Sequence, residues 1–307
     1  LLAHTTMNTF ILLLVTLAVI AKAQQWTIDD SIKAGVMVGI GCGDDSHAVA
    51  GTCSQTEGAI PSFYDGSWDK TKNLQAGLVM DIASTAGNAV TVASSLGGLF
   101  QSPDQGGSWS AVPGMIGICQ SVNPLGDKGF GAVGQFVVGK KSGSGVAYTT
   151  DAETWDFAPI PGDSVRYGAF PSETNWFVSA GMWDTSDDSA NSTSTTMFAG
   201  HSQHHNLGAN LHVGKKSPLH VKDGEEQSWW GKIWQTTDGG KTFTESFSSP
   251  VEDQYYFNAI SCGSETNCVA VAEGIKGSGP YVCALTTNDG GKTWTKTFES
   301  TEHSSLM

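Results

Sequence analysis

Arginine is almost missing from this chain of 307 residues: Arg166 stands alone. Planar guanidinium forks bind carboxylate and phosphate oxygens in pairs, so a site that grips an anionic ligand with an arginine cluster is excluded. Basic residues of either kind are few, 16 Lys and Arg against 30 Asp and Glu, for a formal net charge of −14. Nucleic acid and anionic membrane surfaces both require basic patches, and neither is expected as a partner. No cysteines show the paired C-x-x-C spacing of a zinc centre, and no motif asks for a metal or other cofactor. Long apolar runs are scarce as well. The only one, Phe10–Ile20, is too short to span a bilayer, so no membrane insertion is expected. A long helical period is also lacking, which points away from an α-rich fold.

The short apolar run reads instead as the core of a secretory signal peptide, Met7 to Ala23, with Ala21-Lys22-Ala23 as the cleavage site. Residues 1–23 are thus assigned to upstream residues plus leader, and residues 24–307 to one exported domain, expected to be a monomer. Six cysteines suit an oxidising compartment. Cys262 with Cys268, across one hairpin, is the first expected disulfide and Cys42 with Cys53 the second. Cys119 and Cys283 remain as a long-range pair or as free thiols.

Glycine is abundant, 38 residues, and much of the pattern lies in one short turn that occurs four times. The copies are Ser102-Pro103-Asp104-Gln105-Gly106-Gly107-Ser108-Trp109, Thr149-Thr150-Asp151-Ala152-Glu153-Thr154-Trp155, Thr236-Thr237-Asp238-Gly239-Gly240-Lys241-Thr242-Phe243 and Thr287-Asn288-Asp289-Gly290-Gly291-Lys292-Thr293-Trp294. The second is one residue short and lacks the glycine. Asp-Gly and Gly-Gly pairs supply the positive φ of a tight turn. The aspartate accepts backbone N–H bonds, the hydroxyls close the loop, and the final aromatic packs beneath it. Every position has a structural task.

A second segment recurs upstream of the turns. Ser172-Glu173-Thr174-Asn175-Trp176-Phe177-Val178 echoes Ser264-Glu265-Thr266-Asn267-Cys268-Val269, and the stretch from Cys42 to Gly51 has the same form. Units begin near 40, 79, 118, 167 and 257, with a sixth possible within 182–229. A four-stranded unit of about 40–50 residues is the signature of a propeller blade. The fold class is therefore all-β, a propeller of five to seven four-stranded blades. Because the chain stops at Met307 just after its last turn, it is read as incomplete.

The turns resemble the Asp-box, or BNR repeat, of sialidases, xyloglucan-cleaving glycosidases, sortilin-type receptors and the photosystem II assembly propeller. The resemblance implies structural roles on the outer rim for Ser102, Asp104, Gly106, Trp109, Asp151, Trp155, Asp238, Gly240, Phe243, Asp289, Gly291 and Trp294. Sialidases hold their substrate with three arginines, so a chain with Arg166 alone is a non-sialidase member. A glycosidase with two carboxylates is the alternative, with Asp44, Asp45, Asp65, Asp81 and Glu173 as candidates. The assembly propeller matches in size and leader, but its arginine-rich partner surface is absent here.

Residues 182–229 interrupt the repeat with a polar, low-complexity stretch. It holds the sequon Asn191-Ser192-Thr193 and five histidines (His201, His204, His205, His212, His220) whose spacing fits no established metal site. Tyr64, Trp68, Trp183 and Trp229 are available as surface contacts or as blade core. The sequence thus points to an exported, non-catalytic propeller that binds a protein or glycan, with no catalytic residue assigned.

Overall fold

The computed structural model describes residues 36–43, 47–54, 58–65, 67–69, 79–85, 89–138, 141–160, 164–183, 229–250, 254–276 and 279–303. The leader, Asp44, Asp45, Asn191, the histidine-rich stretch and the proposed sixth unit lie outside them.

Among the described residues, short β-branched and small-residue segments separated by glycine-rich turns form five antiparallel sheets of four strands each. The first holds β1 (Val36–Cys42), β2 (His47–Ser54), β3 (Gly58–Asp65) and β4 (Trp68–Asp69). The second holds β5 (Val79–Ser84), β6 (Thr91–Ser95), β7 (Gly98–Ser102) and β8 (Ser110–Ala111). In the third are β9 (Ile116–Leu125), β10 (Gly129–Val138), β11 (Lys141–Thr149) and β12 (Asp156–Pro159). The fourth comprises β13 (Val165–Ala169), β14 (Trp176–Trp183), β15 (Trp229–Thr236) and β16 (Thr244–Ser248). The fifth comprises β17 (Gln254–Cys262), β18 (Cys268–Lys276), β19 (Gly279–Thr287) and β20 (Thr295–Ser300).

Within each sheet the strands lie side by side in chain order. The first strands β1, β5, β9, β13 and β17 pack on one another in succession, so they line the centre and the fourth strands form the rim. This is a β-propeller of four-stranded blades, and its blades begin close to the unit starts read from sequence. The 182–229 interruption falls between β14 and β15, whose ends pair Trp183 with Trp229.

Each of the four recurring turns joins the third strand of a blade to its fourth. In the turn after β15, Asp238 Oδ1 accepts from Thr242 N (2.9 Å) and from Thr236 Oγ1 (2.7 Å), while Thr236 Oγ1 accepts from Gly240 N (3.0 Å). The turn after β19 repeats this set with Asp289, Thr293, Thr287 and Gly291, and that after β7 with Asp104, Ser108, Ser102 and Gly106. The short turn after β11 keeps the aspartate at its centre, but Ala152 must adopt φ 61 in place of glycine.

These turns also join the blades. Gln101 on β7 donates to Ala152 O of the next blade's turn and accepts from Trp155 Nε1. Gln235 on β15 donates to Gly290 O, and Ser246 on β16 donates to Gly291 O and accepts from Trp294 Nε1. Tyr148, one residue before its turn like Gln101 and Gln235, packs its ring 4.9 Å from Trp176 of the fourth blade. Trp109 is the exception. Its buried Nε1 has no partner.

Cys262 and Cys268 are bridged at the end of the β17–β18 ladder, as expected. The second expected pair does not form: Cys42 is a free, exposed thiol. The register explains this, since Cys42 faces Ala48 at one end of the β1–β2 ladder and Cys53 faces Val36 at the other. Cys119 is free and buried, so it does not bridge to Cys283 either.

Gly240 (φ +84) and Gly239 (φ +71) both need left-handed backbone, but only Gly240 is hemmed in: an added Cβ would lie 2.5 Å from Trp176 and 2.8 Å from Ala158. Gly239→Ala is expected to cost about 1–2 kcal/mol in backbone strain alone. Gly240→Ala adds a clash worth about 1–3 kcal/mol more. Urea unfolding followed by tryptophan fluorescence measures both, and equal losses would contradict the joint described here.

Candidate functional site

One irregularity recurs in every first strand. A single extra residue interrupts each ladder between first and second strands: Val38, Met80, Gln120, Arg166 and Asn258. A β-bulge bends its strand and re-aims a side chain, and these five stand on the strands that line the centre. The fold therefore gathers one irregular residue per blade around its axis, the sole arginine among them.

Polar groups knit this centre together across blades. Asp81, next to the bulge of β5, accepts Ile82 N on Oδ1 (2.9 Å) and Val122 N of the third blade on Oδ2 (3.1 Å). Ser121 donates to Arg166 O (3.2 Å) and Asn123 to Gly168 O (2.9 Å) in the fourth blade. The Arg166 guanidinium lies 4.4 Å from the centroid of the Tyr256 ring in the fifth blade, a cation–π distance. The Tyr256 hydroxyl donates a short hydrogen bond to Glu273 Oε1.

The electrostatics follow from burial. Desolvation lifts the Asp81 carboxyl to a pKa of about 6, against the partial relief of its two backbone N–H bonds. Burial, and then the bond to Glu273, hold the Tyr256 phenol far above its usual range, so it stays a donor. Tyr167 is raised by burial, with Arg166 pulling it down and Asp81 and Glu273 pushing it up. Charges from three blades thus meet at one ring. Burial, reinforced by Asp81, likewise raises the Cys119 thiol, which makes it a poor nucleophile.

Three polar atoms in this region are buried without a hydrogen-bond partner: Arg166 Nε, Glu273 Oε2 and Gln120 Oε1. No ion pair joins Arg166 to Glu273 among the described residues. A donor and an acceptor therefore flank Tyr256, both unsatisfied. Buried polar groups are nearly always paired, so this arrangement is suited to a ligand carrying its own donor and acceptor.

Of the candidate carboxylates among the described residues, Asp81, Asp65 and Glu173, Asp81 alone lies in this centre. Glu173 is exposed in the turn between β13 and β14, and Asp65 ends β3 opposite His47. Glu273 and the bulge residues carry no sequence motif. A break in apolar alternation around Gln120 and Arg166 is their only trace. The sequence of the first blade also carries a reduced form of the recurring pattern, Asp65-Gly66-Ser67-Trp68, with its Asp-Gly pair and tryptophan. Trp68 there pairs with Tyr64 in the β3–β4 ladder. Among the described residues no His, Cys, Asp and Glu cluster suited to a metal occurs, and no helix is long and apolar enough to cross a membrane.

No family model matches this chain, and no curated protein sequence matches it either. Solved structures do. A GH74 xyloglucanase from Xanthomonas campestris superposes with a TM-score of 0.57 at 14% identity, over 91% of this chain and 41% of that one. The extracellular domain of a one-component system from B. thetaiotaomicron gives 0.51 at 8% identity, over 92% and 30%. YCF48 from Cyanidioschyzon merolae gives 0.36 at 14% identity, over 86% of both chains. The first two likenesses establish the propeller fold, and this chain spans well under half of either protein.

The Asp81 carboxyl gives the stability a defined pH dependence. Its folded pKa of about 6 exceeds the ordinary 3.8, so its contribution is fully present below pH 3.8 and is lost as pH rises through 6. That window corresponds to about 3 kcal/mol. Asp238 and Asp289 are held down to about 2 by their threonines, and their contribution disappears only below pH 3.8. Thermal unfolding of the wild type and Asp81→Asn from pH 4 to 7 tests this. The wild type should lose stability relative to the variant as pH rises, and a constant difference would refute the assignment.

Proposed function

We propose that this chain is an exported, non-catalytic propeller of the Asp-box class that binds glycans at its axis. Arg166 Nε and Glu273 Oε2, buried and unpartnered on either side of Tyr256, carry the reading. Adjacent sugar hydroxyls supply what the pair lacks, an acceptor for the guanidinium and a donor for the carboxylate. The four turns serve structure, because their aspartates are consumed by their own hydroxyls and backbone. Export rests on the Met7–Ala23 leader and is supported by the Cys262–Cys268 bridge.

A glycoside hydrolase is the second reading, favoured by one observation: a buried axial carboxyl with a pKa of about 6 is suited to a general acid. Against it, both Asp81 oxygens already accept main-chain N–H groups, which ties the carboxyl to the scaffold.

A glycan array probed with the disulfide-intact protein, followed by mass spectrometry of each bound glycan after incubation, separates the two. The expected result is binding without cleavage, weakened about tenfold or more in Arg166→Ala and Glu273→Gln, as for loss of a charged hydrogen bond. Cleavage that disappears in Asp81→Asn establishes the hydrolase instead. Binding indifferent to Arg166 and Glu273 removes the axial site.

A further inference from the structure

A ligand that brings both a donor and an acceptor can be neutral or charged, and the charge of the axial centre distinguishes the two. Gln120 of the third blade, Arg166 of the fourth, and Tyr256 and Glu273 of the fifth are tied in sequence. Ser121, next to Gln120, donates to Arg166 O (3.2 Å). The Arg166 guanidinium lies 4.4 Å from the Tyr256 ring centroid, and Tyr256 donates to Glu273 Oε1. Asp81 enters from the second blade, its Oδ2 accepting Val122 N (3.1 Å) two residues beyond Gln120. One guanidinium therefore stands among two carboxyls. The Tyr167 phenol, raised foremost by burial, is lowered by Arg166 and raised further by Asp81 and Glu273, so all three charges reach one ring.

The open hydrogen-bonding positions are biased in the same direction. Arg166 Nε is an open donor, whereas Glu273 Oε2 and Gln120 Oε1 are both open acceptors. Glu273 is only 6% exposed, so its carboxylate has given up most of its water. A cationic donor compensates a buried carboxylate better than a neutral one, because charge-assisted hydrogen bonds are about twice as strong. An ammonium has three N–H donors and no acceptor. The remaining requirement, one acceptor for Arg166 Nε, is met by a hydroxyl. An amino sugar carries the two groups on neighbouring carbons. A sulfated or carboxylated sugar would instead add an anion to a centre that already holds two, and N-acetylation would remove the cation.

We propose that the axial site takes amino sugars with a free amine, the ammonium donating to Glu273 Oε2 and a neighbouring hydroxyl accepting from Arg166 Nε. Gln120 Oε1 is left for a further hydroxyl. The assignment rests on the glycan reading above and narrows it to one class of sugar. The chain as a whole carries a net charge of −14, so its surface also attracts amines without any site, and salt separates the two attractions. Exposed charges are largely screened at about 1 M salt, and buried pairs much less.

The experiment is isothermal titration calorimetry of the full chain, disulfide intact, at a mildly acidic pH where the amine is protonated. The probes are three oligosaccharides of one length and linkage, built of glucosamine, of glucose and of N-acetylglucosamine. Glucosamine should bind about tenfold more tightly than glucose, the gain of a charged over a neutral hydrogen bond, and should keep that preference at about 1 M salt. Glu273→Gln should abolish the preference, whereas Arg166→Ala should weaken the sugars together and leave it in place. Glucosamine and glucose binding alike overturns the assignment but leaves the glycan site standing, as does failure of all three while another glycan binds on the array. Failure of all three with a silent array removes both. A preference that persists in Glu273→Gln, or that disappears in salt, marks attraction to the acidic surface and overturns the assignment. If Glu273→Gln does not keep the wild-type circular dichroism spectrum, the salt comparison on the wild type decides.

Discussion

The fold depends on the seating of each turn upon the blade before it. A turn that wandered could not present its carbonyl and its aromatic ring together to a neighbour. The central aspartate prevents this by accepting three hydrogen bonds within eight residues, which fixes the loop before any contact is made outside it. The preceding blade then needs only a side chain of the right reach, and Gln101, Gln235 and Ser246 provide it. Local rigidity is thus converted into registration between blades. Trp109 keeps a buried, unpartnered indole N–H, in contrast to Trp155 and Trp294, whose indoles donate to the blade before them.

Registration at the rim leaves the centre free to be irregular. First strands held in place by their outer neighbours can each tolerate a bulge, and the repeat places these bulges at corresponding positions. A bulge breaks the ladder and frees one residue from the in-and-out alternation. The chain uses that freedom differently from blade to blade, as Met80, Gln120, Arg166 and Asn258 show. Variation at the axis is therefore carried by substitutions that the scaffold hardly feels, in keeping with the general separation of site from fold.

That separation explains what sequence could and could not disclose. The turns were legible because aspartate, glycine, hydroxyl and aromatic must all fall within a few residues, and the blade starts followed from their spacing. The Cys262–Cys268 bridge was legible for the same reason, being local to one hairpin. The Cys42–Cys53 pairing failed because proximity along the chain does not reveal register: the two ends of an antiparallel ladder are far apart even when the loop between them is short. The axial cluster was hidden more thoroughly. Arg166, Tyr256 and Glu273 come from different strands and two blades, and only packing brings them together. Asp81 appeared among the candidate carboxylates, but its partner in the third blade, Val122 N, lies 41 residues away and is brought to it only by packing.

A single arginine in such a centre is more constrained than one of several. Nothing else in the chain can replace its guanidinium, and a lysine would bring a strongly hydrated point charge in place of a plane that stacks on Tyr256. The stacking leaves the edge of the guanidinium, including Nε, for hydrogen bonding. The Tyr256 hydroxyl, meanwhile, fixes one oxygen of Glu273 and leaves the other. One tyrosine therefore orients both partners at once, a cation by its face and a carboxylate by its tip. The two are held short of neutralising each other, since no ion pair closes between them. A direct pair would satisfy the site internally and leave it inert. Holding the charges apart across an aromatic ring keeps a donor and an acceptor in place, and it makes Tyr256, rather than either charged residue, the element on which the geometry of the axial site turns.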